Sequence, residues 1–247
     1  MLKAFGIEFD LSEGNLFHNM LRYFPYGYSV CDEGGSSVLA VSYLVGWYGP
    51  ALEEDDVFDE VGKLSPFMTT DYDVFHVQDV IIVHNDEVPE GSKIKTAILN
   101  YGAVEVGYCA QKDDSNGYYN TETHAHYINE SLSPNHVVSL IGWDDSFSKD
   151  NFLIAPPGDG AWIVKNSWGT DWGDDGILYI SYYDKTFSDG EYIDDNAFGI
   201  VIENTINYNK NYQHDFLWTG DFIGMNELAD IDGDVIYDTQ FASAGDD

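Results

Sequence analysis

Residues 160–184 read GAWIVKNSWGTDWGDDGILYISYYD: two apolar runs rich in β-branched and aromatic residues, with a glycine-rich segment between them. Runs of this composition, bounded by turn residues, read as strands. Asn166 stands at the end of the first run, with Trp168 two residues on and Trp172 beyond it. An asparagine carbonyl can accept the proton on one ring nitrogen of a histidine. That bond needs shelter from water, since an exposed one is worth little net, and a flanking tryptophan supplies the shelter. Residues 134–145, PNHVVSLIGWDD, place His136 directly before another apolar run. A histidine fixed by a second group is the proton-exchanging half of nucleophilic catalysis. The missing half is the nucleophile, and the chain has two cysteines, Cys31 and Cys109.

HVVSLIGW, GAWIVKNSW, GILYISYYD and AFGIVIE are four strand candidates, and VQDVIIV is a fifth. EGSKIKTAILNYGAVEVGYCA predicts a helix ending at Gly102 and a strand from Val104. Nearer the start, DLSEGNL offers Ser12 as a helix N-cap with Glu13 in the first turn, where the helix dipole favours an anion. SSVLAVSYLVGWYG spaces its apolar residues for a buried helix, stopped by Gly49-Pro50. ALEEDDVFDEVGKLSPFMTTDYD is polar and broken by Pro and Gly, so it reads as loop. Helices come first and strands second, which predicts an α+β fold with segregated halves.

The chain carries 10 basic and 44 acidic residues among 247, a net charge of −34. A polyanion of this strength repels phosphate backbones and anionic lipid surfaces, which argues against nucleic acid as a partner. It is compatible with weak cation binding by the acidic surface or with a salty environment. No stretch approaches the ~20 apolar residues needed to span a bilayer. The start, MLKAFGIEFD, shows no basic region followed by an apolar one, so no signal peptide is visible in this chain.

The segments above resemble the papain/cathepsin family of cysteine proteases. LSEGNL is similar to that family's SEQxL segment, CDEGG to its CxGG loop and NYGAVEV to YGPVSV. NHVVSLIGW is similar to NHAVxxVGY, and WIVKNSWGTDWGDDGILYIS to WxxKNSWGxxWGExGYxxI. Together they span roughly residues 10 to 185, in the family's order. The resemblance implies the papain-like two-lobed fold, with an incomplete helical lobe over 1–87 and a β-rich lobe over 88–203. Residues 204–247 would form a tail or the start of a further module. It implies a cysteine peptidase that hydrolyses peptide bonds and needs no cofactor or metal, with His136 and Asn166 catalytic and Trp168 and Trp172 supporting. Gly34, Gly35 and Asn135 would lie along an extended peptide or protein substrate, paired as an added strand. The insert between His136 and Asn166, with its PPGDG, is similar to the bacterial and archaeal surface branch, which implies an extracellular or cell-surface protein. His136 and Asn166 should then lie within the ~2.6–3.2 Å of a catalytic hydrogen bond.

The family's cysteine sits in QGxCGSCWAF, ahead of the SEQxL segment, and no such motif occurs in this chain. The expectation is that the nucleophile precedes Met1 and that the chain as given does not cleave peptides. Cys31 is the lesser alternative nucleophile, since it falls in the substrate-loop motif. Ser37, in GGSSVLA, is a weaker alternative still, because it follows SEGNL. Cys109 reads as a small buried apolar residue. A different class of function is also open: an inactive surface module that binds extended peptides or cell-wall material. Three further motifs read as ordinary surface. His124 and His126 read as a polar loop in preference to a metal pair, and Asp230–Asp234 as an acidic turn in preference to a cation site. Asn129 heads a glycosylation sequon that matters only on export.

The charge balance makes a testable prediction. Self-repulsion destabilises the compact state and screening relieves it, so the melting temperature should rise from ~10 mM to ~1 M salt as the Debye length falls from ~30 Å to ~3 Å. Thermal melts across that range check this, and a flat or falling response removes the case for a salt-adapted or cation-bound protein.

Overall fold

A computed structural model of the chain describes residue 6 and residues 8–23, 37–58, 76–83, 92–111, 113–187, 197–203, 226–231 and 234–238. The chain divides into two compact units, Met1–Ile81 with Ile200–Asp247, and Ile82–Gly199. These limits fall a few residues before the 87/88 and 203/204 boundaries expected from sequence. Cys31, Gly34 and Gly35 lie outside the described residues.

The first unit contains α1 (Glu13–Tyr23) and α2 (Ser37–Val45), which pack together, and the start of β1 (His76–Val83). Ser12 caps α1 as expected: its Oγ accepts the Asn15 N–H at 2.9 Å. The same hydroxyl donates to the Asp56 carbonyl. Asn15 then donates to the Asp56 carboxylate at 2.8 Å and accepts from Asn19 and from the Tyr43 hydroxyl at 2.9 and 2.6 Å. These side chains are buried, so the network ties the acidic loop around Asp56 to both helices. Its groups would cost stability if buried unpaired.

α2 stops earlier than the sequence suggested. Tyr48 N–H reaches back to the Tyr43 carbonyl at 3.1 Å and Trp47 N–H to that of Leu44 at 3.1 Å, a Schellman-type cap that ends the helix ahead of Pro50. Trp47 takes the left-handed position at φ 58 that glycine usually fills. Its indole N–H donates to the Val77 carbonyl at 2.9 Å, which holds it there. Gly46 is required beside it, because a Cβ would lie 2.4 Å from the Tyr48 ring. The tail adds an antiparallel hairpin, β9 (Asn226–Ile231) with β10 (Asp234–Asp238). The expected acidic turn Asp230–Asp234 thus straddles two strand ends, and its middle lies outside the described residues.

The second unit is a sheet with α3 (Ser92–Tyr101) across it. Its strands are β2 (Val104–Tyr108), β3 (Tyr119–Asn120), β4 (Ala125–His126), β5 (His136–Asp144), β6 (Ala161–Lys165) and β7 (Ile177–Ser181), with the first residues of β8 (Ala197–Glu203). They run in the order β8-β2-β5-β6-β7-β4-β3, antiparallel except for β4 beside β7. α3 ends at Gly102 and β2 starts at Val104, as expected. Ile94, Ala97 and Ile98 are the buried residues of α3, which packs on β2 and β5, where Val104, Val106, Val138 and Leu140 are buried. Lys95 tethers the helix differently: its Nζ lies 4.8 Å from the Tyr182 ring centroid and 2.6 Å from Asp145 Oδ1. Hydrogen bonds from Lys95 and Tyr182 hold the Asp145 carboxyl below its ordinary range.

The segment expected as a polar loop around His124 and His126 is part of this sheet. β4 is a buried strand, and His126 is fully enclosed, edge-on to Tyr108 with Nδ1 3.2 Å from Asp184 Oδ2. The reading failed because two-residue strands carry no periodicity, and parallel pairing to β7 satisfies a backbone that locally looks like turn. Among the described residues no three His, Cys, Asp or Glu side chains group as metal ligands, and no helix is long and apolar enough to cross a membrane.

Ser12→Ala removes both the α1 cap and the Asp56 bond. Stability should fall by about 1–2 kcal/mol, read as a shifted urea midpoint at constant slope. An unmoved midpoint would show that the network is not carried by this hydroxyl.

Candidate active site

Two strand ends place the site. β2 and β5 pair with Tyr108 opposite His136. β5 and β6 pair with Ser139 opposite Lys165, so Asn166 follows the last rung at the end of the sheet where β5 begins. His136 Nε2 and Asn166 Oδ1 are 2.8 Å apart. The same oxygen accepts the Ser167 N–H at 2.8 Å. That second bond fixes which way the amide points, because a flipped NH2 would face an N–H. The oxygen therefore faces the imidazole, and an acceptor there requires the proton on His136 Nε2. His136 Nε2–H donates to Asn166 Oδ1, and in the neutral ring Nδ1 keeps its lone pair for another proton.

Asn166 is buried, and its Nδ2 has no hydrogen-bond partner among the described residues. An orphaned buried donor costs roughly 1–3 kcal/mol.

The indoles sit on the imidazole as well as near the amide. Trp168 stacks on His136 with centroids 4.9 Å apart and planes at 26°. Trp172 meets Trp168 edge-on at 4.6 Å. Behind Trp172 lies Tyr119, stacked at 5.1 Å and 14°. Tyr108 also borders His136, at 6.0 Å. The turn carrying the indoles depends on its glycines: a Cβ on Gly173 would lie 2.4 Å from the Ile177 carbonyl oxygen. Asp175 and Gly176, at φ 51 and 84, close the hairpin into β7 with reciprocal bonds between Asp174 and Ile177.

Three other sequence candidates lie within the described residues. Asn135 is engaged in closing β2 onto β5: its N–H donates to the Tyr108 carbonyl at 3.1 Å and its Oδ1 accepts from Ala110 N–H at 2.7 Å. Cys109 follows Tyr108 and is buried, its N–H on the Thr186 hydroxyl at 3.0 Å. Burial pushes its thiol pKa up, against thiolate formation. Ser37 is buried at the first residue of α2. Tyr108 and Tyr119 are site neighbours that sequence reading missed. Tyr108 was legible as the residue just before Cys109 on a strand, but its register with His136 was not.

The sequence profile of the papain family cysteine proteases matches residues 9–212. Cathepsin L of Sarcophaga peregrina is 28% identical over 186 residues, which cover 71% of this chain and 47% of that protein. Cathepsin B-like cysteine proteinase 3 of Caenorhabditis elegans is 31% identical over 90 residues, covering 36% of this chain and 20% of that protein. The chain thus spans less than half the length of these relatives. Among solved structures, the clostridial cysteine protease Cwp84, in its form after propeptide cleavage, superposes with a TM-score of 0.66 at 32% identity, covering 81% of this chain and 48% of that one. The cysteine protease and lectin-like domains of Cwp84, described as a surface layer associated protein of Clostridium difficile, superpose with a TM-score of 0.66 at 33% identity, covering 81% and 43%. Bromelain from Ananas comosus, at 21% identity and a TM-score of 0.51, covers 81% of each chain and shares the fold. By the profile match over most of its length, the chain belongs to the papain family of cysteine proteases.

Proposed function

We propose that this chain carries the acid–base half of a peptide-bond-hydrolysing site, with His136 as proton carrier and Asn166 as its orienter. The observation that supports it is the 2.8 Å bond from His136 Nε2–H to Asn166 Oδ1, which leaves Nδ1 open to a thiol. In this reading the thiol proton passes to Nδ1 and the thiolate sulfur attacks the peptide carbonyl. The imidazolium returns its proton to the leaving amine as the C–N bond breaks. The resulting acyl-thioester is hydrolysed by water, whose proton His136 accepts and then passes to the departing sulfur. Trp168 shelters the His136–Asn166 bond and Trp172 backs it. Gly34, Gly35 and Asn135 are proposed to lie along the peptide substrate, and the acidic surface to hold cations weakly.

In this reading no side chain of residues 1–247 is the nucleophile. Burial disfavours the Cys109 thiolate. Cys31 falls in a motif that, in the family, borders substrate instead of attacking it. The nucleophile's usual segment precedes the one resembled by residues 11–16. A cell-surface setting is proposed with it, supported by the likeness to Cwp84, itself described as surface layer associated.

The test pairs a fluorogenic peptide panel with a thiol-directed covalent inhibitor and mass spectrometry, on this chain and on a version extended upstream. This chain should give no turnover, since loss of a nucleophile costs about 10⁶ in kcat. Cys109 should label far more slowly in native protein than in urea. Turnover by residues 1–247 with stoichiometric labelling of Cys31 would make Cys31 the nucleophile, against this reading. Tight binding of extended peptides without turnover in either version would favour the non-catalytic binding module.

A further inference from the structure

His124 has a backbone that L-residues rarely adopt, with φ 55. It sits in the turn between β3 and β4, two residues before the buried His126 and five after Tyr119. Its carbonyl accepts the Tyr179 N–H at 2.9 Å, which pins this backbone to β7. Its ring nitrogen Nδ1 lies 3.3 Å from the Tyr119 hydroxyl. A non-glycine residue in the left-handed region is costly, and the cost persists only where the surroundings enforce it. The contact it secures here is the one to Tyr119.

Tyr119 is 2% exposed, so its hydroxyl needs a partner. Its ring lies nearly parallel to Trp172 at 5.1 Å. Trp172 abuts Trp168 at 4.6 Å, and Trp168 stacks on His136 at 4.9 Å. Three ring contacts therefore run without a gap from Tyr119 to the imidazole. Trp168 and Trp172 stand in a turn with positive-φ glycines at 169, 173 and 176, outside the sheet ladder. Ring packing contributes to the angle of these side chains, and Tyr119 supplies part of it from a strand.

We infer that His124 is a positioning residue for the His136 imidazole, acting through its hydrogen bond to Tyr119 and the Trp172–Trp168 stack. This deepens the proposed function and rests on it for its catalytic meaning. With the hydroxyl anchored, Tyr119 keeps one tilt, Trp172 keeps its edge on Trp168, and Trp168 stays flat over the His136 ring. With the anchor cut, the indoles gain play and water reaches the His136–Asn166 bond.

The experiment reads the bond itself, independently of turnover. Nitrogen-15 NMR of the full chain follows solvent exchange of the His136 Nε2 proton in Tyr119→Phe, His124→Gly and His124→Asn. Tyr119→Phe keeps the ring and loses only the hydroxyl. His124→Gly relieves the backbone and loses the ring. His124→Asn keeps a side-chain acceptor and tolerates the left-handed backbone. Exchange should quicken about five- to tenfold in Tyr119→Phe and His124→Gly, the effect of losing one net hydrogen bond, and stay near the parent rate in His124→Asn. Unchanged exchange in the first two overturns the inference. So does equal acceleration in His124→Asn and His124→Gly, which would mark a packing effect alone. Thermal melts of the same samples show that each is folded. If exchange responds as expected but no form of the protein hydrolyses peptides, the positioning network stands and the peptidase reading fails. If hydrolysis is found and exchange does not respond, the reverse holds.

Discussion

One oxygen organises the site. Asn166 Oδ1 accepts from Ser167 N–H and from His136 Nε2–H, each at 2.8 Å. The first bond is local and sets the amide's orientation. The second is long-range and sets the tautomer of the ring. The second cannot be kept if β6 slips by one residue against β5, because a slip turns Asn166 to the other face. The register from Ser139–Lys165 out to Asp144–Ala161 therefore sets the His136–Asn166 geometry as well as the core. So is the glycine turn that returns the chain into β7 and brings two indoles over the ring.

Buried polar groups serve two purposes in this chain. Asn15 engages both ends of its amide, and the resulting network fixes two helices and a loop. Asp184 is equally well served, taking Ile128 N–H, Thr186 N–H and the Thr186 hydroxyl. Both networks hold scaffold, and their bonds repay the desolvation of the groups they join. Asn166 Nδ2 and the Tyr108 hydroxyl are left without partners among the described residues, and both side chains border His136.

Much of the fold was legible because the strands around His136 and Asn166 are long and apolar. β5, β6, β7 and β8 were expected and are present, as were the α3–Gly102–β2 unit and the Ser12 cap. The pairing of a histidine with an asparagine came from chemistry, and the structure brings those two side chains together. What could not be read was anything decided by short or non-local contacts. β3 and β4 have two residues each, too few for a period. Their placement beside β7 puts Tyr119 against Trp172 and makes His126 core. The stop of α2 was misread because the cap uses a tryptophan in the left-handed position, held by a bond to Val77 that no local signal reveals.

The segment between the two strands that lead to His136 and Asn166 lies over a continuous part of the ladder. Residues 145–160 separate β5 from β6, yet the ladder beneath them runs from Asp144–Ala161 down to the site end, with one irregularity between Leu140 and Gly142. Closing a longer loop costs only slowly more free energy as it lengthens, so the ladder can absorb it. The segment also packs on itself and on its neighbours. Phe147 stacks on Tyr179 at 4.6 Å and meets Phe152 at 5.6 Å, and Gly160 N–H returns to the Phe147 carbonyl at 2.8 Å. Phe152 is buried with Tyr127 and Ala125, so this segment packs on the same short strand, β4, whose preceding turn holds His124. The segment between β5 and β6 is thus anchored on β4 and β7 by its own aromatic side chains.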